Sequence, residues 1–219
     1  MVMAENEITK IFVVDDHPLF RKGVVQLLQL NPNFQVIGEA GTFEAAVAGI
    51  TSKEPDLVLL DLNMKGTSGI EILSAIKKHD PSIKVVILTV SDSPNDLLQA
   101  IKTGADGYLL KDLEPEEILE NINRAIEGQV VLSPVLTNAL AEALKEKRDE
   151  PSRSLQGLTE KELMVLKGVS QGLSNKLIAR ELNISDGTVK VHVKHILKKL
   201  NFHSRVEAAI WVSENNIKL

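Results

Sequence analysis

The chain has 219 residues, of which 43% are hydrophobic and 25% are charged, and it contains no cysteine. This composition is typical of a globular protein with one large domain or two modest ones, and it excludes disulfides, zinc–thiolate sites and a Cys nucleophile. No stretch approaches the ~18 consecutive apolar residues of a membrane span, and residues 1–9 lack the apolar core of a signal peptide. We therefore expect a cytoplasmic protein with no membrane partner.

The net charge of −5 is distributed unevenly along the chain. Residues 1–134 hold 11 Lys and Arg against 20 Asp and Glu, a net charge of −9. Residues 135–154 are neutral, and residues 155–219 hold 10 Lys and Arg against 6 Asp and Glu, a net charge of +4. This asymmetry predicts two domains with different partners, and the basic one is a candidate for nucleic-acid binding.

Short apolar runs alternate with helical patterns in the acidic part. Strand-like runs lie at 10–14, 35–37, 56–60, 84–89 and 107–110, and helix-like segments lie at 18–30, 43–52, 68–79, 94–103 and 115–127. Ser93-Pro94 and Pro115 support two helix starts, and Gly104 and Gly128 fit helix ends. The alternation predicts a parallel sheet with helices on both faces.

Three aspartates directly follow two of these runs. Asp15 and Asp16 end the first run, and Asp61 ends the third. In open α/β sheets the functional site lies outside the carboxyl ends of the strands, so these side chains are expected to converge. Like charges that close need a counter-charge, and a hard divalent cation with oxygen ligands would supply it.

Two further polar residues end the last two runs. Thr89 adds a hydroxyl and Lys111 a compact cation at the same sheet edge. Phosphoryl transfer needs these parts, namely a carboxylate that attacks and cationic groups that neutralise the phosphoryl oxygens. Each aspartate alone could instead cap a turn or a helix. The five together favour a phosphoryl-accepting site.

The rest of the chain contains no strand pattern in residues 155–219, where four short helices are predicted. We expect residues 131–154 to form a tethering helix and a charged linker, between a domain at 1–130 and a domain at 155–219. Thr159 and Ser204 each precede a Glu by three residues, which is the spacing of a capping box. A helix at 175–182, a short turn and a helix at 186–200 form a helix-turn-helix candidate.

The second of these helices has a cationic outward face. On a helical wheel, Lys190, Val191, Lys194 and Lys198 lie together, away from an apolar side. Such a face can give Lys to guanine and Val to a thymine methyl, while Ser185 and Thr188 can reach phosphates. The alternative is a solvated lysine face on an ordinary helix.

Residues 8–128 resemble a response-regulator receiver domain, with Asp15-Asp16, Asp61, Thr89 and Lys111 on its motif positions. The resemblance implies a doubly wound five-stranded sheet of order 2-1-3-4-5, with Asp61 phosphorylated by a sensor histidine kinase. The resemblance also implies that Mg²⁺ is held by the side chains of Asp16 and Asp61, by the backbone carbonyl of Asn63 and by Asp15 through water. It implies that Thr89 binds the phosphoryl group and that Tyr108 is the aromatic residue that changes rotamer in the switch.

Residues 155–219 resemble the LuxR-type helix-turn-helix, on strings such as Gly172-Leu173-Ser174-Asn175-Lys176 and residues 188–192. A receiver with this module is typical of the NarL/FixJ class, and several strings, among them Asp61-Leu62-Asn63-Met64, resemble nitrate/nitrite response regulators of the NarL/NarP type. The resemblance implies base reading by Lys190, Val191 and Lys194, homodimers on promoter DNA, RNA polymerase as a further partner, and control of anaerobic respiration genes.

Three alternatives stay open at the level of sequence. A regulator of the same class could answer a different signal. A magnesium-dependent phosphohydrolase could use Asp61 as nucleophile, although such enzymes commonly need a second acid at the position of Asn63. The helical part could also dock a protein instead of DNA. The sequence departs from the usual receiver pattern at Lys65, which places an extra cation beside the site where many receivers have Pro.

Overall fold

The structure, a computed structural model, describes residues 8–129, 131–132, 155–215 and 217. Two domains are present in these residues: a sheet domain at 8–132 and a helical domain at 155–217. The strands of the main sheet are β1 (Thr9–Val14), β2 (Phe34–Ala40), β3 (Leu57–Leu60), β6 (Lys84–Thr89), β7 (Gly107–Leu110) and β8 (Val131–Leu132).

Five helices cover the two faces of this sheet. They are α1 (Pro18–Gln29), α2 (Phe43–Lys53), α3 (Gly69–His79), α4 (Pro94–Thr103) and α5 (Pro115–Ile126). Neighbouring strand residues point to opposite faces, so Phe12 and Val14 join the hydrophobic cluster under α2, α3 and α4. Ile11 and Val13 join the cluster under α1 and α5. Because both faces are covered, β3 is apolar throughout and β1 and β6 have apolar centres, whereas the edge strand β2 carries the exposed Gln35 and Glu39.

The sheet confirms the predicted doubly wound order and corrects the number of strands. The strands lie side by side in the order β2-β1-β3-β6-β7-β8, and every adjacent pair is parallel. The predicted sheet had five strands and placed Val131-Leu132 in the tether. Val131 instead pairs with Gly107 and is buried, because a β-branched apolar run can satisfy the open edge of β7.

A small hairpin in the loop after β3 was not predicted. Strands β4 (Asn63–Met64) and β5 (Thr67–Ser68) pair in antiparallel fashion. The turn passes through Gly66, whose φ is +81°, a backbone conformation that glycine adopts without strain. The hairpin gives the loop that carries Asn63 a fixed path beside Asp61.

The helical domain contains four α-helices in its described residues: α6 (Glu160–Ser170), α7 (Asn175–Leu182), α8 (Asp186–Leu200) and α9 (Arg205–Glu214). A 3₁₀ turn at Leu155–Gly157 precedes them. Thr159 closes the predicted capping box with Glu162 at the start of α6. Asn183 ends α7 in the left-handed region at φ 52°, and Ser185 caps α8, so the helix-turn-helix has its predicted bounds.

The two domains are in direct contact. Val206 of α9 is 3% exposed and belongs to the hydrophobic cluster that includes Leu97 and Ile101 of α4. The turn before α9 also touches the end of α4, since a Cβ atom on Gly104 would lie 2.8 Å from Cβ of His203. The helical domain is therefore docked along α4.

The predicted tethering helix and charged linker, from residue 133 to residue 154, lie outside the described residues. Across the part of the chain that the structure describes, no helix combines the length and the apolar character of a membrane span.

Candidate phosphoryl-accepting site and nucleic-acid interface

The five predicted site residues meet at the carboxyl edge of the sheet. The sheet hydrogen bonding continues one residue past each strand, with Asp15 N donating to Ala40 O, Asp61 N to Val14 O, and Lys111 N to Thr89 O. This extended pairing fixes where each side chain leaves the backbone. Asp15 and Asp61 are 3% and 2% exposed, and Thr89 is fully buried.

Lys111 is the cation that holds the aspartates together. Its Nζ atom lies 2.7 Å from Oδ2 of Asp15 and 2.7 Å from Oδ2 of Asp61, and its side chain is 9% exposed. Charge-assisted hydrogen bonds of this length are strong when they are shielded from water. The lysine is therefore in direct contact with the predicted phosphoacceptor, Asp61.

Asn63 connects Asp61 to Thr89. Its backbone N–H donates to Oδ1 of Asp61 at 3.1 Å, and its side-chain Nδ2 donates to Oγ1 of Thr89 at 3.3 Å. Oγ1 of Thr89 also accepts from the backbone N–H of Ser91 at 3.3 Å. A hydroxyl has two acceptor lone pairs and one hydrogen, so Thr89 can still donate that hydrogen to a phosphoryl oxygen.

The donor set suits a hard divalent cation. Carboxylate oxygens of Asp15, Asp16 and Asp61, with a ring nitrogen of His17, all lie within 4.8 Å of one another. Oδ1 of Asp16 is buried and has no hydrogen-bond partner among the described residues; Nδ1 of His17 lies 2.9 Å away but not in hydrogen-bonding geometry. A cation would satisfy this oxygen, and oxygen ligands are those that Mg²⁺ prefers. Receiver domains generally bind Mg²⁺ in such an acidic pocket.

Tyr108 is fully buried beside α4. Its hydroxyl donates to the backbone oxygen of Ser91 at 2.9 Å, and burial raises the pKa of the phenol to about 12. Ser91 also contacts Thr89 through its backbone N–H. Tyr108 is therefore connected to the site through the loop that carries Ser91.

The sequence did not reveal how Gly69 contributes to the site. A Cβ atom at Gly69 would lie 2.2 Å from the backbone oxygen of Asp61, so only glycine lets α3 begin against this strand end. Its N–H donates to Leu62 O at 3.0 Å and closes the hairpin loop. A glycine at a helix start gives no distinctive pattern, which is why the sequence alone did not single it out.

In the helical domain, α8 carries the predicted nucleic-acid face. Val189, Ile196, Leu197 and Leu200 are buried in the domain core, while Lys190, Val191, Lys194 and Lys198 are exposed outside it. Val191 is 52% exposed, an unusual position for an apolar side chain. At the start of the helix, Oγ of Ser185 accepts from Thr188 N, and the two hydroxyls lie 2.7 Å apart.

This face is turned toward the sheet domain. Nζ of Lys194 donates to Oδ2 of Asp80 at 3.1 Å, across the domain boundary. Lys190, Val191 and Lys194 line one side of an interdomain cavity of about 970 Å³. Its other side includes Asp80 and residues at the amino ends of the strands, so the face lies at the sheet edge opposite Asp61.

The start of α7 is also held by the sheet domain. Asn175 N donates to the backbone oxygen of Glu127 at 2.8 Å, and Nζ of Lys176 lies 3.4 Å from the Glu127 carboxylate. Arg205, 7% exposed, donates to Oδ1 of Asn175 at 2.6 Å and packs against Gly128. These contacts hold the start of α7 against the end of α5.

Lys84 lies in the same interface with little compensating charge. Its amine donates to the backbone oxygen of Ile126, and burial lowers its pKa from 10.5 to about 8. Arg205 and Lys190 lower that pKa further, whereas Asp106 and Asp186 raise it. The Asp106 carboxylate is already paired with the buried Lys77 at 2.7 Å. Arg205 and Lys190 of the helical domain therefore make the docked state less favourable for a charged amine at Lys84.

Comparison with known proteins extends over both domains. Residues 11–123 match the family described as the response regulator receiver domain, and residues 156–212 match the bacterial regulatory proteins of the luxR family. The chain is 46% identical over 215 residues to the nitrate/nitrite response regulator protein NarL of Escherichia coli (strain K12), covering 98% of this chain and 100% of that protein. It is 47% identical over 201 residues to NarP of the same strain, covering 92% and 93%.

A solved structure agrees with this assignment. The crystal structure of the response regulator ChrA, from a heme-sensing two-component system, matches 96% of this chain and 98% of that chain at 32% identity, with a TM-score of 0.51. The family matches and the full-length relatives cover both domains of the chain. The chain therefore belongs to the two-component response regulators that join a receiver domain to a LuxR-type helix-turn-helix domain, and it is a phosphorylated regulator of transcription.

Proposed function

We propose that a sensor histidine kinase phosphorylates Asp61 and that this phosphorylation releases α8 to bind promoter DNA. The observation that carries the proposal is the ion pair between Lys194 and Asp80, because it holds the predicted base-reading face against the sheet domain. Residues 1–134 carry a net charge of −9 and residues 155–219 carry +4. These opposite charges attract the two domains to each other and favour docking.

At the acidic site, Asp16, Asp61 and the backbone carbonyl of Asn63 would hold Mg²⁺, with Asp15 acting through water. Bound Mg²⁺ neutralises negative charge on the phosphoryl oxygens. Lys111 does the same from its own side, and the Thr89 hydroxyl donates to a phosphoryl oxygen. Phosphorylation changes the charge at Asp61 from about −1 to about −2, so both groups are drawn toward it.

The helix α4 connects the site to the domain boundary. The amino end of α4 follows the loop that contains Thr89 and Ser91, and the backbone oxygen of Ser91 accepts the hydrogen bond from Tyr108. The carboxyl end of α4 touches His203 of the helical domain. Movement of Thr89 toward a phosphoryl group would shift this loop. The shift would change the packing of Val206 against α4. We propose that α4 is the two-position element that phosphorylation biases.

Released helical domains are proposed to bind promoter DNA as a homodimer on two half-sites. Lys190, Val191 and Lys194 would read bases, while Lys198, Ser185 and Thr188 would contact phosphates or bases at the edges of the site. The proposed domain boundaries are 1–130, 131–154 and 155–219, with β8 completing the sheet at the start of the middle segment. We also propose that the protein is cytoplasmic and that it contacts RNA polymerase at the promoter.

The physiological signal is proposed to be nitrate or nitrite. The support is the identity of 46% and 47% to two regulators named for that signal. The test is transcription of nitrate-responsive genes in cells lacking this protein. Loss of the response that the wild-type gene restores, but an Asp61→Asn gene does not, supports the assignment. An unchanged response rejects it and leaves a regulator with another signal.

We further propose that the site is a switch and not a turnover enzyme. Asn63 stands where a phosphohydrolase would need a second acid, and its amide is committed to Thr89 at 3.3 Å. An amide cannot protonate a leaving group. Incubation with phosphate monoesters should therefore release no more than about one phosphate per chain; continued turnover that Asp61→Asn abolishes would favour the enzyme.

Loss of the interdomain ion pair should loosen the unphosphorylated protein. Asp80→Asn keeps the size of the side chain but removes its charge, so Lys194 loses its partner. We expect DNA affinity without phosphorylation to rise about two- to fivefold, in line with ~0.5–1 kcal/mol for a half-exposed pair. Fluorescence anisotropy with labelled promoter DNA measures this. Asp92→Asn, an exposed aspartate outside the cavity, is the control and should match the wild type.

Docking should strengthen as the pH rises through the lowered pKa of Lys84. Arg205 and Lys190 of the helical domain lower the pKa of Lys84, so this pKa is lower in the docked state than in the undocked state. Below pH 8 the amine is protonated in both states and its charge opposes docking; as the pH rises above 8 the docked state loses the proton first and this opposition declines. Unphosphorylated protein should thus lose about three- to tenfold in DNA affinity from pH 8 to 9.5. Lys84→Met should bind weakly and nearly independently of pH across that range.

The control for this titration is Lys78→Met, an exposed lysine on α3 outside the cavity. It corrects for any general effect of lysine charge on DNA affinity. A pH response that is the same in Lys84→Met and in Lys78→Met would contradict a role for Lys84 in docking.

A further inference from the structure

Lys111 has a third partner besides the two aspartates. Its Nζ atom lies 4.5 Å from the centroid of the Phe20 ring, while Oδ2 of Asp15 and Oδ2 of Asp61 each lie at 2.7 Å. A cation over the face of an aromatic ring is attracted by the ring quadrupole, and the attraction grows when water is excluded. The side chain of Lys111 is 9% exposed, so water is largely excluded here.

We infer that Phe20 is a positioning residue for phosphoryl transfer, whose ring holds the Lys111 ammonium at the phosphoacceptor while the charges around it change. The inference rests on the proposed phosphorylation of Asp61 and deepens it. Phe20 was not among the residues that the sequence singled out, because an aromatic residue in the first turn of a helix is usually part of the core.

The need for such a contact follows from the chemistry of the site. In the transfer, an Asp61 oxygen forms a bond to phosphorus while the P–N bond of a phosphoramidate donor breaks. The electron pair of the P–N bond stays on the nitrogen, which takes a proton. The Asp61 carboxylate then becomes an acyl phosphate and no longer offers the same anionic oxygen to Lys111. With the proposed cation bound, Asp15 would act on it through water and would offer less negative charge to Lys111. The ring is uncharged, so its attraction for Lys111 is unaffected by either change.

The chain places the ring firmly. Pro18 begins α1 and pre-sets its first turn, and Phe20 is partly buried, packed against the core beneath α1 and α5. The next residue, Arg21, donates to the backbone oxygen of Asp15 and pairs with Glu39 at 3.1 Å. The start of α1 is thus tied to the same strand end that carries Asp15, which sets the distance between the ring and Lys111.

The test measures the rate of Asp61 phosphorylation in the full chain, with phosphoramidate as donor and Mg²⁺ present, by intact-protein mass spectrometry. Phe20→Leu keeps an apolar side chain but removes the ring face, and the rate should fall about three- to tenfold. Phe20→Tyr keeps the face and should stay within about twofold of wild type. Leu27→Met, a conservative change at another partly buried position of α1, controls for packing of the helix and should leave the rate unchanged.

Three outcomes overturn the inference: a wild-type rate in Phe20→Leu, an equal loss in Phe20→Leu and Phe20→Tyr, or a loss in Leu27→Met as large as in Phe20→Leu. The last two would assign Phe20 to packing alone. Melting temperatures of the variants accompany the rates, and a slow Phe20→Leu with a wild-type melting temperature supports positioning. Failure of the proposed function looks different, since wild type would then stay unmodified, or Asp61→Asn would be modified as fast as wild type.

Discussion

Replacement of Asp61 by Asn is expected to abolish phosphorylation and the phosphorylation-dependent gain in DNA binding. The amide cannot attack phosphorus, and the neighbouring carboxylates of Asp15 and Asp16 belong to the proposed cation site. The fold should persist, because Asn keeps the size of a side chain that is 2% exposed and removes one of three converging negative charges. Intact-protein mass spectrometry after treatment with a small-molecule phosphodonor should show no added phosphoryl group.

The matched control is Asp112→Asn, an exposed aspartate directly after Lys111 at the same sheet edge. It should be phosphorylated like the wild type. An Asp61→Asn protein that gains a phosphoryl group at the wild-type rate, or that binds DNA more tightly after phosphodonor treatment, would contradict the assignment of the phosphoacceptor.

Replacement of Lys194 by Ala is expected to act in opposite directions in the two states. In the unphosphorylated chain it removes the partner of Asp80 and weakens docking. On specific DNA it removes a predicted base contact and should cost roughly 1–3 kcal/mol, about 5- to 150-fold in affinity, with relaxed sequence preference. Because the second effect is larger, phosphorylated protein should bind its site much less tightly than wild type. Anisotropy titrations with specific and scrambled DNA separate the two.

The control here is Lys161→Ala, an exposed lysine on α6 outside the helix-turn-helix. It should change affinity by less than about twofold. Equal losses on specific and scrambled DNA for Lys194→Ala would assign Lys194 to a phosphate contact, and no loss on either would remove α8 from the DNA interface.

Most of the sheet domain was predictable because its signals are local. Each central strand is buried on both faces and is therefore a continuous apolar run, and the chain leaves it at a polar side chain. Helix starts were equally clear, since Ser93-Pro94 and the capping box at Thr159 carry their own chemistry. The carboxyl ends of parallel strands meet at one edge, so the convergence of Asp15, Asp61 and Lys111 followed from the order of the elements.

What the sequence did not reveal depends on distant contacts. The strand at Val131-Leu132 exists because the edge of β7 is open to pair with it, and two apolar residues alone predict nothing. Gly69 and Phe20 look ordinary in the sequence, and only the close approach of α3 to Asp61 and of Lys111 to the ring gives them a role. The pairing of Lys194 with Asp80, 114 positions apart, has no local signature at all.

The docked arrangement connects these observations to regulation. The same contacts that bury Val206 on α4 and pair Lys194 with Asp80 also enclose Lys84, whose charge opposes docking. Because the charge of Lys84 opposes docking, the docked state is only modestly stable. A change of one charge at Asp61 can therefore shift the population of the docked state. This balance is what a switch requires.

The central claim is that phosphorylation at Asp61 separates α8 from the sheet domain. Because the chain has no cysteine, spin labels can be attached at Lys78→Cys on α3 and His195→Cys on α8, two exposed positions on either side of the domain boundary. Double electron–electron resonance should give one short distance without a phosphodonor and a longer, broader distribution with it, and the Asp61→Asn background should keep the short distance. A distribution that stays short in fully phosphorylated protein would contradict the claim.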